Sequence, residues 1–105
     1  MANDVSPAQR AAALTPRLAD LVENLVFGDI WERPGLSKRE RSLITVAALI
    51  ALDRNALASH IRRAFDNGLT TDELAEVITH LAFYAGFPCA TTASLTLAEI
   101  DAERS

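Results

Sequence analysis

The chain has 105 residues, of which 50% are hydrophobic and 23% charged, and its formal net charge at pH 7 is −4. This length predicts one domain with a thin core, and the acidic balance, without a basic stripe, argues against a nucleic-acid partner. A single cysteine, Cys89, excludes a disulfide within the chain and a cysteine metal cluster, and no motif indicates another metal site. No signal peptide or membrane-spanning run is recognised, so we expect a cytoplasmic protein with no membrane partner.

The N-terminal segment, residues 6–26, predicts two short helices, and every later periodic segment also has helical spacing. Ser6, followed by a proline, starts the first helix, which extends to about Leu14. Thr15 is the expected N-cap of the second helix, with Pro16 at its first position.

The run FGDIWERPGLS, residues 27–37, contains two glycines and a proline, which predict an ordered loop. Its large apolar side chains are expected to be buried: Phe27, Ile30 and Trp31. Arg33 in this loop and Arg41 just after it are either surface charges or residues that hold an anion.

The central helix is predicted over about residues 38–53. Ser37 and Glu40 form the capping box that opens it. The run LITVAALIAL within it is apolar on every side, and a helix of this kind has to be covered on every side. A thin domain has too few helices to do this alone, so we expect the chain to self-associate.

The next helix is predicted over about residues 55–67, with Asn67 and Gly68 as its C-terminal cap. His60 falls on the same face as the apolar side chains of this helix. It is either a core histidine bonded to a carbonyl or a residue that lines a pocket, and the spacing leaves both interpretations open.

A further helix is predicted over about residues 71–85, opened by a capping box in which Thr70 is the N-cap. His80 follows Glu76 by one turn on its polar face, and Tyr84 lies at the border of that face. The Glu76–His80 pair is either an acid–base pair with a fixed tautomer or a solvated pair on a helix surface.

Gly86 and Pro88 are expected to break the chain before a last helix over about residues 89–103. Cys89 stands at the expected start of this helix. It is either a thiol whose pKa the helix dipole lowers or a buried, inert side chain.

Four motifs occur in a fixed order: FGDIWERPGLS, RSLITVAALIAL, the histidine before RRAFDNGLT, and ELAEVITHLAFYAGFPCA. They cover residues 27 to about 90, and together they resemble the carboxymuconolactone decarboxylase family of the alkylhydroperoxidase-D-like superfamily. The resemblance implies an all-α domain over residues 1–105 with about five to six helices, in which the N-terminal segment 6–26 precedes a family core at 27–103. It also implies a homotrimer or homohexamer of interlocked helical hairpins.

The family that the sequence resembles has two well-known activities. One branch decarboxylates 4-carboxymuconolactone, without a cofactor, in the β-ketoadipate pathway of aromatic catabolism. The branch similar to alkylhydroperoxidase D reduces peroxides with a Cys-x-x-Cys pair that is followed four residues later by a histidine. Here Asp53 and Ala56 stand at the two cysteine positions before His60. The resemblance therefore favours a cofactor-free decarboxylase of a small anionic lactone over an enzyme with peroxiredoxin activity.

The resemblance also indicates which residues form the site. It implies that His60, His80 and Tyr84 are catalytic, as proton donors or as partners of an oxyanion, and that Arg33 and Arg41 bind the substrate carboxylates. The sequence does not assign the individual roles.

Two alternatives stay open from the sequence. Glu40 is reminiscent of the peroxidase branch, whose relay includes a glutamate, and this keeps an alkylhydroperoxidase-like antioxidant function as one alternative. The other alternative is a non-catalytic helical oligomer that binds a small acid.

Overall fold

The computed structural model describes residues 5–104, and this part of the chain contains helices and no strand. The six α-helices are α1 (Pro7–Leu14), α2 (Pro16–Leu21), α3 (Lys38–Leu52), α4 (Leu57–Asp66), α5 (Thr71–Ala85) and α6 (Phe87–Glu103). A π-helical segment, Val22–Phe27, continues α2, and a 3-10 turn, Ile30–Glu32, precedes α3. The predicted all-α class is confirmed. The predicted domain limits, residues 1 and 105, lie outside the described residues.

The chain divides after Gly35 into two compact units. The N-terminal unit contains α1, α2, the π-helical segment and the 3-10 turn, and the second unit contains α3 to α6. The loop over residues 27–37 was predicted to belong to the family core, but its residues up to Gly35 lie in the N-terminal unit. One reason is that the rings of Phe27 and Trp31 pack against each other at 5.6 Å, which joins the loop to the π-helical segment.

Two details of the N-terminal unit differ from the prediction. Thr15 does not cap α2 with its side chain, because its hydroxyl donates a 2.8 Å hydrogen bond back to the carbonyl of Ala11 at the end of α1. Trp31 is buried and Phe27 half-buried, as expected, but Ile30 is 44% exposed. Neighbouring side chains of a 3-10 turn project about 120° apart, so the turn that buries Trp31 directs Ile30 outward.

The ends of the helices in the second unit follow the local signals of the sequence. Capping boxes begin α3 at Ser37 and α5 at Thr70. Gly68, with φ 98°, follows the end of α4, and Gly86, with φ 105°, separates α5 from α6. Pro88 does not break the chain, since it lies in the first turn of α6, where a helix needs no backbone N–H donor.

The core of the second unit lies among its four helices. α3 packs against α4 and α5, and α6 packs against the same two helices. The side chains that this arrangement buries most completely include Val46, Ile50, Ile61, Ala64, Leu74 and Ala93. Burial of each large aliphatic side chain stabilises the fold by about 1.5–3 kcal/mol. None of the helices in residues 5–104 has both the length and the apolar character that crossing a bilayer requires.

The apolar helix α3 is covered on one side only. Ser42, Val46 and Ile50 are buried at a spacing of four residues, while Ile44 is 54% and Leu52 60% exposed. One chain therefore leaves an apolar face of α3 in contact with water, and the homotrimer or homohexamer stays a prediction.

A buried hydrogen bond connects the start of α3 to the end of α4, and it provides a stability test. Asn67 Nδ2 donates to Ser42 Oγ at 2.9 Å, and Ser42 is 1% exposed. Asn67→Ala is expected to lower the free energy of unfolding by about 1–3 kcal/mol, because a buried hydroxyl then loses its donor. In a double-mutant cycle with Ser42→Ala, measured by urea unfolding, the double variant should cost less than the sum of the single variants. Additive costs would contradict a direct contribution from this bond.

Candidate functional site

An open groove of about 430 Å³ runs between α3 and α5. Side chains three and four residues apart lie on one face of a helix, so each of these two helices presents a stripe to the groove. The apolar lining residues are Leu43, Ile44, Ala47, Val77 and Leu81. The polar ones are Glu73, Glu76 and His80, all on α5. The groove thus has an apolar surface with polar groups on one side, the form that small-molecule sites usually take.

His80 and Tyr84 form a stacked pair on α5. Their ring centroids are 4.8 Å apart and their planes are inclined by 28°. Tyr84 is 80% exposed, and His80 is exposed while it also lines the groove. An imidazole that lines the groove and a phenol that stacks on it from outside the groove lining therefore lie side by side, and both are exposed.

The carboxylates give the groove an acidic character. Glu73 is the N3 residue of the capping box of α5, and it also accepts a hydrogen bond from the guanidinium of Arg39 on α3. The backbone N–H of Thr70, followed by Arg39, lowers the pKa of Glu73 below its ordinary value. Glu76 adds a second carboxylate, and no arginine or lysine is among the described residues that line the groove.

His60 lies elsewhere in the second unit. It belongs to α4, it is half-buried with its Nδ1 atom inaccessible to solvent, and it does not line the α3–α5 groove. Burial, followed by the positive charge of Arg63, lowers the pKa of His60 below its ordinary value of 6.5. The structure therefore favours the neutral imidazole at this position near pH 7.

The two predicted carboxylate binders are also outside the groove lining. Arg41 is half-buried in the first turns of α3. Arg33 follows the 3-10 turn and belongs to the N-terminal unit. Of the five predicted site residues, the structure brings His80 and Tyr84 together as a stacked pair, and His80 alone of the five is among the residues that line the groove.

A second, smaller cavity of about 140 Å³ was missed by the sequence analysis. It lies between the turn that follows α3 and the first half of α6, and its lining includes Asp53, Arg54, Cys89 and Thr92. Asp53 caps α3 in the left-handed region with φ 54°, which aspartate tolerates better than most residues. One indication of this site was present in the sequence, because Asp53 stands at a cysteine position of the peroxidase branch. That Asp53 and Cys89 line the same cavity follows only from the fold. In residues 5–104, no group of three or more acidic, histidine or cysteine side chains is arranged to hold a metal ion.

The lowered pKa of His60 predicts how stability depends on pH. The unfolded chain binds a proton at His60 more readily than the folded chain, so the contribution of His60 is complete above about pH 6.5 and is lost as the pH falls through the pKa of the folded state. We expect His60→Gln to lose less stability than the parent between pH 7.5 and pH 5 in urea unfolding. Arg63→Gln removes the repulsive charge, so its loss of stability over this pH range should lie between those of His60→Gln and the parent. Identical losses of stability in the parent and both variants would contradict a lowered pKa of His60 in the folded state.

Comparison with known proteins agrees with the resemblance that the motifs indicate. The sequence model of the Carboxymuconolactone decarboxylase family matches residues 16–99. A 4-carboxymuconolactone decarboxylase of Acinetobacter baylyi is 44% identical over 81 residues, which are 76% of this chain and 60% of that protein. A nitrosuccinic acid decarboxylase of Metarhizium robertsii is 37% identical over 70 residues, which are 66% of this chain and 49% of that protein.

A third relative, an uncharacterized 15.0 kDa protein of Paracoccus denitrificans, is 34% identical over 73 residues, which are 67% of this chain and 54% of that protein. The chain thus spans about half to three fifths of the length of the curated relatives it matches. The family match extends beyond the motifs on both sides, from the start of α2 into the last turns of α6. On this evidence the chain belongs to the carboxymuconolactone decarboxylase family.

Proposed function

We propose that the protein decarboxylates a small carboxylic acid that binds in the α3–α5 groove beside His80 and Tyr84. The observation that carries this proposal is the imidazole of His80 in an apolar groove with the phenol of Tyr84 stacked on it, in a chain of this family. The names of two relatives support it, since both are decarboxylases of small acids. We take 4-carboxymuconolactone as the first substrate to test and nitrosuccinic acid as the second.

The reaction requires two contributions from the protein. When the bond between the carboxylate carbon and the ring carbon breaks, carbon dioxide leaves and the bonding electrons move into the unsaturated lactone as an enolate. A hydrogen-bond donor has to stabilise the charge on the enolate oxygen, and a proton has to reach a ring carbon. One proton is consumed for each carbon dioxide released, so the balance requires no oxidant, reductant or further reactant.

His80 and Tyr84 are suited to these two tasks. We assign the proton transfer to His80, because an exposed imidazole at the groove can take up a proton from water between turnovers. We assign to the hydroxyl of Tyr84, whose ring stacks on His80 outside the groove lining, the hydrogen bond to the enolate oxygen. The apolar walls from α3 shield one side of the lactone ring from water, which strengthens both interactions.

The other predicted site residues, His60, Arg41 and Arg33, have secondary roles in the proposal. A neutral His60 suits a hydrogen-bonding role within the fold better than the role of a proton reservoir, because its pKa is lowered. Arg41 and Arg33 stay proposed binders of the substrate carboxylate by family resemblance. The groove of one chain has carboxylates of its own, so the cation that binds an anionic substrate has to come from outside the groove lining.

The first test is substitution of His80. His80→Gln is expected to lower kcat for release of carbon dioxide from 4-carboxymuconolactone by about 10²–10⁴-fold, because a positioned general acid contributes on this scale. The side chain is exposed, so the melting temperature should stay close to that of the parent. Thr79→Ala, an exposed neighbour on α5 that does not line the groove, is the matched control and should retain activity. Full activity of His80→Gln would refute the assigned role, and binding of the acid without turnover in the parent would favour the non-catalytic alternative.

The second test separates decarboxylation from peroxide reduction. Cys89 is the only cysteine of the chain, so a thiol pair that cycles through a disulfide cannot form within it. Cys89→Ser is expected to leave decarboxylation within a few-fold of the parent, measured with the same assay. Reduction of an organic hydroperoxide by dithiothreitol should show no acceleration by either protein. Robust peroxide reduction that Cys89→Ser abolishes would overturn the preference for a decarboxylase.

A further inference from the structure

Glu76, His80 and Tyr84 form a row along α5. They follow one another at intervals of four residues, so their side chains lie on one side of the helix, with about 6 Å of helix axis between neighbours. Glu76 and His80 both line the α3–α5 groove, and the ring of Tyr84 stacks on His80 from outside the lining. The row therefore presents a carboxylate, an imidazole and a phenol in this order.

The charge of Glu76 is not neutralised within the part of the chain that the structure describes. Arg39 pairs with Glu73, the other carboxylate of the groove, whereas no ion pair in the described residues involves Glu76. The wall opposite the row is apolar and includes Ile44 and Ala47 of α3. A fixed negative charge beside an apolar wall repels an anion more strongly than the same charge in bulk water.

Decarboxylation moves negative charge within the substrate. In the bound acid, the charge lies on the carboxylate that leaves. When the bond from this carboxylate to the ring carbon breaks, carbon dioxide departs without charge, and the bonding electrons move to the enolate oxygen until a proton reaches the ring carbon. A like charge beside the leaving carboxylate is therefore unfavourable in the bound acid and is relieved as the bond breaks. Such an interaction lowers the barrier by raising the free energy of the bound acid.

We propose that the leaving carboxylate lies at the Glu76 end of the row, where repulsion by Glu76 promotes its loss as carbon dioxide. The inference rests on the proposed function, which assigns the proton transfer to His80 and the enolate oxygen to Tyr84. Because His80 lies between the other two residues, negative charge then moves away from Glu76 as the reaction proceeds. The reverse orientation of the acid would develop the enolate charge beside a carboxylate, so Glu76 also selects one orientation of the substrate.

Glu76→Gln tests the proposal, because it removes the charge and keeps the size of the side chain. It is expected to lower kcat and KM for 4-carboxymuconolactone together, each by about five- to tenfold, with kcat/KM within about twofold of the parent. Loss of the repulsion produces this pattern, since it stabilises the bound acid and leaves the transition state unchanged. Glu99→Gln removes the same charge from an exposed position on α6, so it is the matched control and should change neither constant. Glu76 is exposed as well, so both variants should melt close to the parent.

Binding measurements separate repulsion of the leaving carboxylate from a general repulsion of anions. In a His80→Gln background, in which turnover is slow, the addition of Glu76→Gln is expected to lower the Kd for 4-carboxymuconolactone by about five- to tenfold. The decarboxylated product has lost the carboxylate that faces Glu76, so its inhibition constant should be the same for the parent and for Glu76→Gln. Equally tighter binding of acid and product would overturn the proposal, because Glu76 would then face a group that both molecules share.

The kinetic pattern also distinguishes this role from others. A fall in kcat without a fall in KM would make Glu76 a residue that takes part in proton transfer or positions His80, and a fall in KM alone would leave it a binding determinant. Either pattern, or unchanged constants, would overturn the proposal. Failure of the proposed function itself gives a different result, since the parent would then release no carbon dioxide from 4-carboxymuconolactone or from nitrosuccinic acid.

Discussion

The groove depends on one carboxylate that acts on two helices. Glu73 closes the capping box of α5 by accepting the backbone N–H of Thr70, and it also accepts a hydrogen bond from Arg39 on α3. The same side chain therefore fixes where α5 begins and links it to the helix across the groove. Its lowered pKa follows from these two interactions, and it keeps the carboxylate ionised down to more acidic pH than an ordinary glutamate. Because His80 and Tyr84 follow on α5 at helical spacing, the position of His80 in the groove and of Tyr84 beside it depends on the start of that helix.

The two histidines differ in burial, and this difference distinguishes their roles, which the sequence alone does not. His60 lies where burial and a neighbouring arginine disfavour the imidazolium, whereas His80 is exposed at an open groove next to a phenol. A proton donor has to be reprotonated in every cycle, which an accessible imidazole does more readily than a half-buried one. The same physical difference explains why we assign structural stability to His60 and chemistry to His80.

Local signals predicted most of the fold. The capping boxes at Ser37 and Thr70, and the glycine after α4, act within one turn of chain, so the sequence alone locates the helix ends. The predictions that were wrong, at Thr15 and Pro88, have equally local causes. Thr15 has a carbonyl of α1 within reach of its hydroxyl, and Pro88 occupies the first turn of α6, where proline is tolerated. Sequence patterns do not decide between two local conformations that are each acceptable.

The site was less predictable than the fold, because it is formed between two helices, α3 and α5. The resemblance grouped His80 with Tyr84, and their rings stack because both lie on one helix at a spacing of four residues. Which helix faces that pair depends on the packing of α3 against α5, and no pattern in the sequence encodes this contact directly. His60 shows the same limit, because a histidine on an apolar face is compatible with a core position and with a pocket.

Packing of the central helix connects assembly to chemistry. α3 buries the side of Ser42, Val46 and Ile50 within its own unit, and it turns Ile44 toward the groove. The residues that wall the groove are thus also those that leave apolar surface in water, and covering that surface would exclude water from the site at the same time. An apolar face of this kind is costly in an isolated chain, and self-association, which stays a prediction, would cover it together with the acid that we propose reacts there. Assembly and catalysis would then draw on the same buried area, so a change that weakens the contact between copies should reduce turnover before it reduces the stability of the helical core.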